Sequence, residues 1–208
     1  MEINLFDYFG VNIAKMWRDW FADEFTTWYM KTYGNRGKTA TIMLIPWFRV
    51  DAAMADPENA DSYAAFIMYI GGDEAAARKP DGTYFNIMGK ALFSLVTGED
   101  SVEAERRPHL TFPGVFPWEG CVFVDGNLVS VSALEKDEDA LAGRRCGHKL
   151  NELMAEVAML AKKISDDWDK NPEKYGGPRP AEVKYLNSPA LNARIQKCFP
   201  AKYWADAA

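Results

Sequence analysis

Apolar side chains recur at three- and four-residue steps between residues 12 and 33: Ile13, Met16, Trp17, Trp20, Phe21, Phe25, Trp28 and Tyr29. That spacing predicts one amphipathic helix, with Arg18, Asp19, Asp23 and Glu24 on its other side and Gly34 as its stop. Core or a subunit interface is the ordinary use of such an aromatic stripe; a cofactor wall is the alternative. Residues 40–50 (ATIMLIPWFRV) read as a strand, with Pro46 marking an edge position, a bulge or a break. Residues 51–61 read as a loop or short helix, and residues 62–70 (SYAAFIMYI) as a second strand ending at Gly71 and Gly72.

The helical step returns over 84–96, where Phe85, Met88, Leu92, Leu95 and Val96 share a side. Residues 101–107 read as a further helical turn with Ser101 as its cap. Pro113, Gly114, Pro117 and Gly120 exclude regular structure from 108–120. Residues 121–124 and 128–132 are short apolar runs joined by Asp125, Gly126 and Asn127. Asp-Gly between such runs predicts a hairpin on a type I′ turn, which needs positive φ. Asp137 reads as the N-cap of a long helix with Leu150, Leu153, Met154, Val157, Leu160, Ile164 and Trp168 on one face. Gly143 and Gly147 weaken its first part, which reads as kinked or separate. These elements make one α+β domain over 1–170, an antiparallel sheet with flanking helices. Residues 171–208, with Pro172, Pro178, Pro180, Pro189 and Pro200 between aromatic anchors, read as an arm laid over the domain or over a neighbouring subunit.

Composition narrows the function classes. Of 208 residues, 48% are hydrophobic and 26% charged, which excludes a wholly disordered chain. A net charge of −6 argues against nucleic acid and anionic membranes as partners. No apolar run is long enough to span a bilayer, and the N-terminus lacks the basic and small-residue marks of a secretory signal. Cys121, Cys146 and Cys198 are scattered and form no C-x-x-C pair, so a reducing, cytoplasmic compartment is expected and a structural zinc site is not.

The chain holds 2 histidines, so histidine chemistry must use His109 or His148. His109 follows Arg106, Arg107 and Pro108 into the Pro/Gly loop, where it reads as a metal ligand, a proton shuttle or an ordinary loop side chain. Cys146 and His148 are two apart and face different sides of a helix, so they make no dyad. Arg144, Arg145 and Lys149 either hold an anionic ligand or form a solvated face. The run Glu135–Asp139 reads as helix capping ahead of divalent-cation binding, and Cys121 as a packed thiol. Phe112, Phe116, Trp118 and Phe123 surround the loop and hairpin as core or as the walls of an apolar pocket.

From residue 84 to 142 the order of motifs is Lys90-Ala91 in a helix, a Pro-Gly-Val-Phe-Pro loop at 113–117, and Val124-Asp125-Gly126. A Val131-Ser132 ending and Asp137-Glu138-Asp139-Ala140 follow. This order resembles the haem-binding HbpS/GlcG-like family, which includes the C-terminal domain of PduO-type proteins. Two departures stand out: Pro113-Gly114-Val115 replaces the paired glycines of the family loop, and Ala133 stands where the family has glycine. The resemblance implies a PAS- or profilin-like antiparallel sheet of about five strands, homo-oligomers, and a haem or other tetrapyrrole guest. From position in the loop, His109 is the expected iron ligand, with Arg106 or Arg107 at the propionates and Phe112, Phe116 and Trp118 as walls. The alternatives are a metal-free small-molecule enzyme pairing His109 with a carboxylate such as Asp125 or Glu119, and a non-enzymatic, oligomer-forming accessory protein.

Overall fold

The computed structural model describes residues 13–34, 39–72, 74–80, 82–106 and 119–179. Their contacts divide the chain into two compact units, Trp20–His148 and a second made of residues 1–19 and 149–208.

The Trp20–His148 unit is built on β1 (Ala40–Ile45), β2 (Phe66–Ile70), β3 (Cys121–Val124) and β4 (Asn127–Ser132). They pair antiparallel in the order β2-β1-β4-β3. The expectation of an antiparallel α+β sheet holds, with four strands among the described residues and not five. Every residue of β1 and β4 is buried, because helices cover both faces of the sheet. On one face Met43, Ile45, Cys121 and Leu128 form a core with Val50 and Ala53 of α3 (Trp47–Ala55) and with Ile87, Ala91 and Leu95 of α5 (Thr83–Thr97). On the other, the start of α6 (Lys136–Lys170) lies against Val122, Val124 and Val131.

Gly143 and Gly147 explain that second contact. A Cβ on Gly147 would stand 2.6 Å from Val124 Cβ, and one on Gly143 3.0 Å from Val122 Cγ2. The two glycines are the contact stripe that lets the helix backbone reach the sheet, and α6 continues without a break to Lys170. They weaken helix propensity and repay it in close approach. The helix begins at Lys136, one residue before the expected N-cap Asp137; Glu138 reaches back to accept from the Glu135 N–H at 3.1 Å, half of a capping box.

Other expectations shift in detail. Of the three readings of Pro46, the break holds and the edge and bulge do not: β1 is central and ends at Ile45, and Pro46 opens α3. The second strand starts at Phe66, after a 3₁₀ helix over Pro57–Tyr63. In α5 the buried side is Ile87, Ala91, Ser94 and Leu95, whereas Phe85 and Val96 are 48% and 61% exposed. The aromatic segment is helical from Ile13 to Tyr33 as α1 (Ile13–Trp20), a π-helical turn (Phe21–Phe25) and α2 (Thr26–Tyr33). Thr26 Oγ1 donates to the Phe21 carbonyl at 2.8 Å inside that wide turn. A short α4 (Glu74–Ala77) completes the set. The hairpin forms as read, with Asp125 at φ 50° and Gly126 at φ 88° between Val124 and Asn127.

In the second unit, residues 171–179 fold back on the last turns of α6. Trp168 stacks on Tyr175 with centroids 5.1 Å apart and donates to the Gly177 carbonyl at 2.7 Å. Arg179 grips Asp169 with two nitrogens, at 2.9 and 2.7 Å. Among the described residues no helix is long and apolar enough to cross a membrane.

Candidate functional site

Edge strand β3 exposes alternate N–H groups, which a neighbouring segment must satisfy. Asp100 Oδ1 accepts from Phe123 N at 2.7 Å, and Ser101 Oγ from Cys121 N at 2.9 Å. Ser101, which opens the 3₁₀ helix (Ser101–Arg106), thus also serves β3. Between this segment, the start of β3 and the start of α6 lies a cleft of about 280 Å³, bordered by Asp100, Val102, Glu119, Gly120, Asp137 and Arg144.

Helix geometry fills one wall of the cleft. Asp137, Ala140 and Arg144 are spaced three and four apart and share a face of α6. Asp139, Gly143 and Gly147, at four-residue spacing, form the inward stripe. In the cleft the Glu119 carboxyl is held above its ordinary range, first by burial and then by the charge and hydrogen bond of Asp137, with Arg144 pulling the other way. A carboxyl that holds its proton above the ordinary range beside a guanidinium can give it up and take it back.

Behind the cleft lies a buried ion pair. Lys90 and Asp139 side chains are each 2% exposed, with Nζ 2.8 Å from Asp139 Oδ2. Nζ also donates to the Val131 carbonyl at 2.6 Å, and Asp139 Oδ1 accepts from Leu134 N at 3.1 Å. Gly120 makes room for them: a Cβ there would stand 2.8 Å from Lys90 Nζ and 2.7 Å from Asp139 Cβ. Burial pushes the Asp139 carboxyl up to about 6, while Lys90 and the Leu134 and Ala133 backbone donors pull it down. A carboxyl that holds its proton more tightly folded than unfolded contributes most stability below its unfolded value and loses it as pH rises through about 6. Lowering the pH from about 7 to about 5 should therefore stabilise the wild type relative to a Lys90→Met/Asp139→Leu variant. Urea melts at both pH values check this, and an unchanged difference between the two proteins contradicts it.

Ala133 carries strain for the same pair. Its φ of 138° belongs to glycine, and it is the position where the resemblance expects glycine. Ala133→Gly should raise stability by about 1 kcal/mol, read as a higher urea midpoint; a lower midpoint would contradict the strain.

The sequence candidates fall into three groups. His109, Arg107, Phe112, Phe116 and Trp118 lie outside the described residues, as does the side chain of Arg106, which ends the 3₁₀ helix. Glu119 lies in the cleft, away from Asp125. Asp125 instead has Oδ2 3.7 Å from His148 Nδ1, with both side chains largely exposed. The Arg144–Lys149 group divides: Arg144 lines the cleft, Arg145 stacks 4.6 Å over the Trp28 ring, and Lys149 sits 3.5 Å from Glu152. Cys121 is fully buried with its thiol pushed up to about 12, as expected of a packed thiol and not a nucleophile. Cys146 is buried likewise. Sequence reasoning missed Lys90 as a functional candidate; a lysine on the core side of an otherwise apolar helix, with Ile87, Ala91 and Ser94 around it, was the available signal.

Among the described residues no group of three or more His, Cys, Asp or Glu is placed to hold a metal ion. The described cleft walls do not fit a porphyrin, whose faces need a broad apolar slot, since Asp100, Glu119 and Asp137 border this one. Comparison of the chain with protein-family models, with curated proteins and with solved structures finds no match.

Proposed function

We propose that the Trp20–His148 unit binds a small polar molecule in the cleft between β3 and the start of α6, and that Glu119 exchanges a proton with it. The observation that carries this reading is the convergence of Glu119, Asp137 and Arg144 on one cleft, where burial and the charge of Asp137 hold the Glu119 carboxyl above its ordinary range. Glu119 gives its proton to the guest and takes it back when the guest leaves, the Asp137 charge beside it favours the protonated form of Glu119, and Arg144 holds a carboxylate or other oxyanion of the guest. Amide chemical-shift mapping with a panel of small carboxylates, amines and sugars tests it. Shifts should cluster at Gly120, Val122, Ala140 and Arg144 and weaken in Arg144→Ala. A panel that moves none of these signals removes the reading.

The second reading is a tetrapyrrole guest held by His109; its support is the resemblance of residues 84–142, and it does not use the described cleft. Haemin added to the protein should then give a saturable Soret band that weakens in His109→Ala; a linear, unsaturable titration rejects this reading.

A further inference from the structure

We propose that the buried Lys90–Asp139 pair is a positioning device for the cleft, fixing the first turn of α6 so that Asp137 meets Glu119. This rests on the acid–base reading of the cleft. A buried ion pair contributes little net stability over apolar side chains of the same volume. What it supplies here is direction. Lys90 Nζ ties α5 to the Val131 carbonyl and to Asp139 Oδ2. Asp139 Oδ1 ties α6 to the turn at Leu134, and Val131 N donates to the Gly120 carbonyl at 2.8 Å on the cleft floor. One ammonium thus joins α5, β4, α6 and the residue after Glu119.

The consequence for Asp137 follows from helix geometry. Residues two apart on a helix point about 200° apart. With Asp139 drawn inward to Lys90, Asp137 is turned out to the cleft. If the pair is removed, the turn keeps its hydrogen bonds to Glu135 and Glu138 but loses the bond that sets its rotation. The charged and titratable groups around this arrangement are Lys90 from α5, Asp100 beside the 3₁₀ helix, Glu119 and Cys121 at β3, and Asp137, Asp139 and Arg144 from α6.

The test is a carboxyl ¹³C NMR titration of Glu119, which needs no ligand. In the wild type Glu119 should titrate above the ordinary carboxylate range. In Lys90→Met/Asp139→Leu, with native far-ultraviolet circular dichroism, it should return to that range. A folded double variant with unchanged Glu119 titration overturns the proposal, since a merely structural pair leaves that titration alone. The wild type supplies a second measurement that does not depend on the variant folding. The Glu119 signal should show a further inflection where the Asp139 signal titrates, and a single inflection at its own value overturns the proposal. An empty ligand panel, by contrast, rejects the acid–base reading and leaves the titration result standing.

Discussion

Lys90→Met should lower the free energy of unfolding by about 3–5 kcal/mol, because it strands a carboxylate that is 2% exposed. Asp139 would keep its Leu134 donor but lose the only full charge facing it at hydrogen-bond distance among the described residues. Adding Asp139→Leu to the same protein should recover part of the loss, since no buried charge is then left over, although the Leu134 N–H and the Val131 carbonyl lose the partners the pair gave them. Urea unfolding followed by far-ultraviolet circular dichroism measures both. A single variant that melts with the wild type would mean that water or rearrangement reaches Asp139, and the pair would lose its standing as a rigid link.

The second large effect is expected at Gly120. Alanine there must adopt φ +125° and place its Cβ 2.7 Å from the Val131 carbonyl oxygen, 2.7 Å from Asp139 Cβ and 2.8 Å from Lys90 Nζ. Backbone strain of about 1–3 kcal/mol adds to an overpacking cost of similar size. The nearest obstacles include backbone and an anchored Cβ, which cannot swing away as the end of a flexible chain would. Gly34→Ala separates the two contributions: its φ is +69° and nothing lies within 4 Å of the added Cβ, so only the strain remains. Thermal melts should show Gly120→Ala well below Gly34→Ala. Equal losses would show that crowding at the ion pair contributes nothing.

Both effects are invisible to local pattern. Lys90 and Asp139 are 49 residues apart, and nothing in the helical repeat of residues 84–96 says which side faces the sheet. Phe85 and Val96 look like core by hydrophobicity and are exposed, while Lys90 looks like surface and is buried. The long stem of lysine permits this: it crosses apolar packing and delivers its charge to a carboxylate and a carbonyl beyond. The acidic run Glu135–Asp139 is similar. Composition reads it as a cap, yet its members separate into a cap (Glu138), a cleft wall (Asp137) and a core ion (Asp139) according to the 100° step between neighbours.

What depended on near neighbours could be read from the residues alone. The hairpin over 121–132, the helix over 13–33 and the α+β class follow from turn chemistry and periodicity, which act within four or five positions of the chain. The tertiary structure decided the rest: that Pro46 ends a central strand, that Gly143 and Gly147 bring α6 onto the sheet, and that Glu119, Asp137 and Arg144 share a cleft. Those outcomes turn on which distant surfaces exclude water together and on where a missing Cβ lets two backbones meet, and neither quantity belongs to any single stretch of sequence.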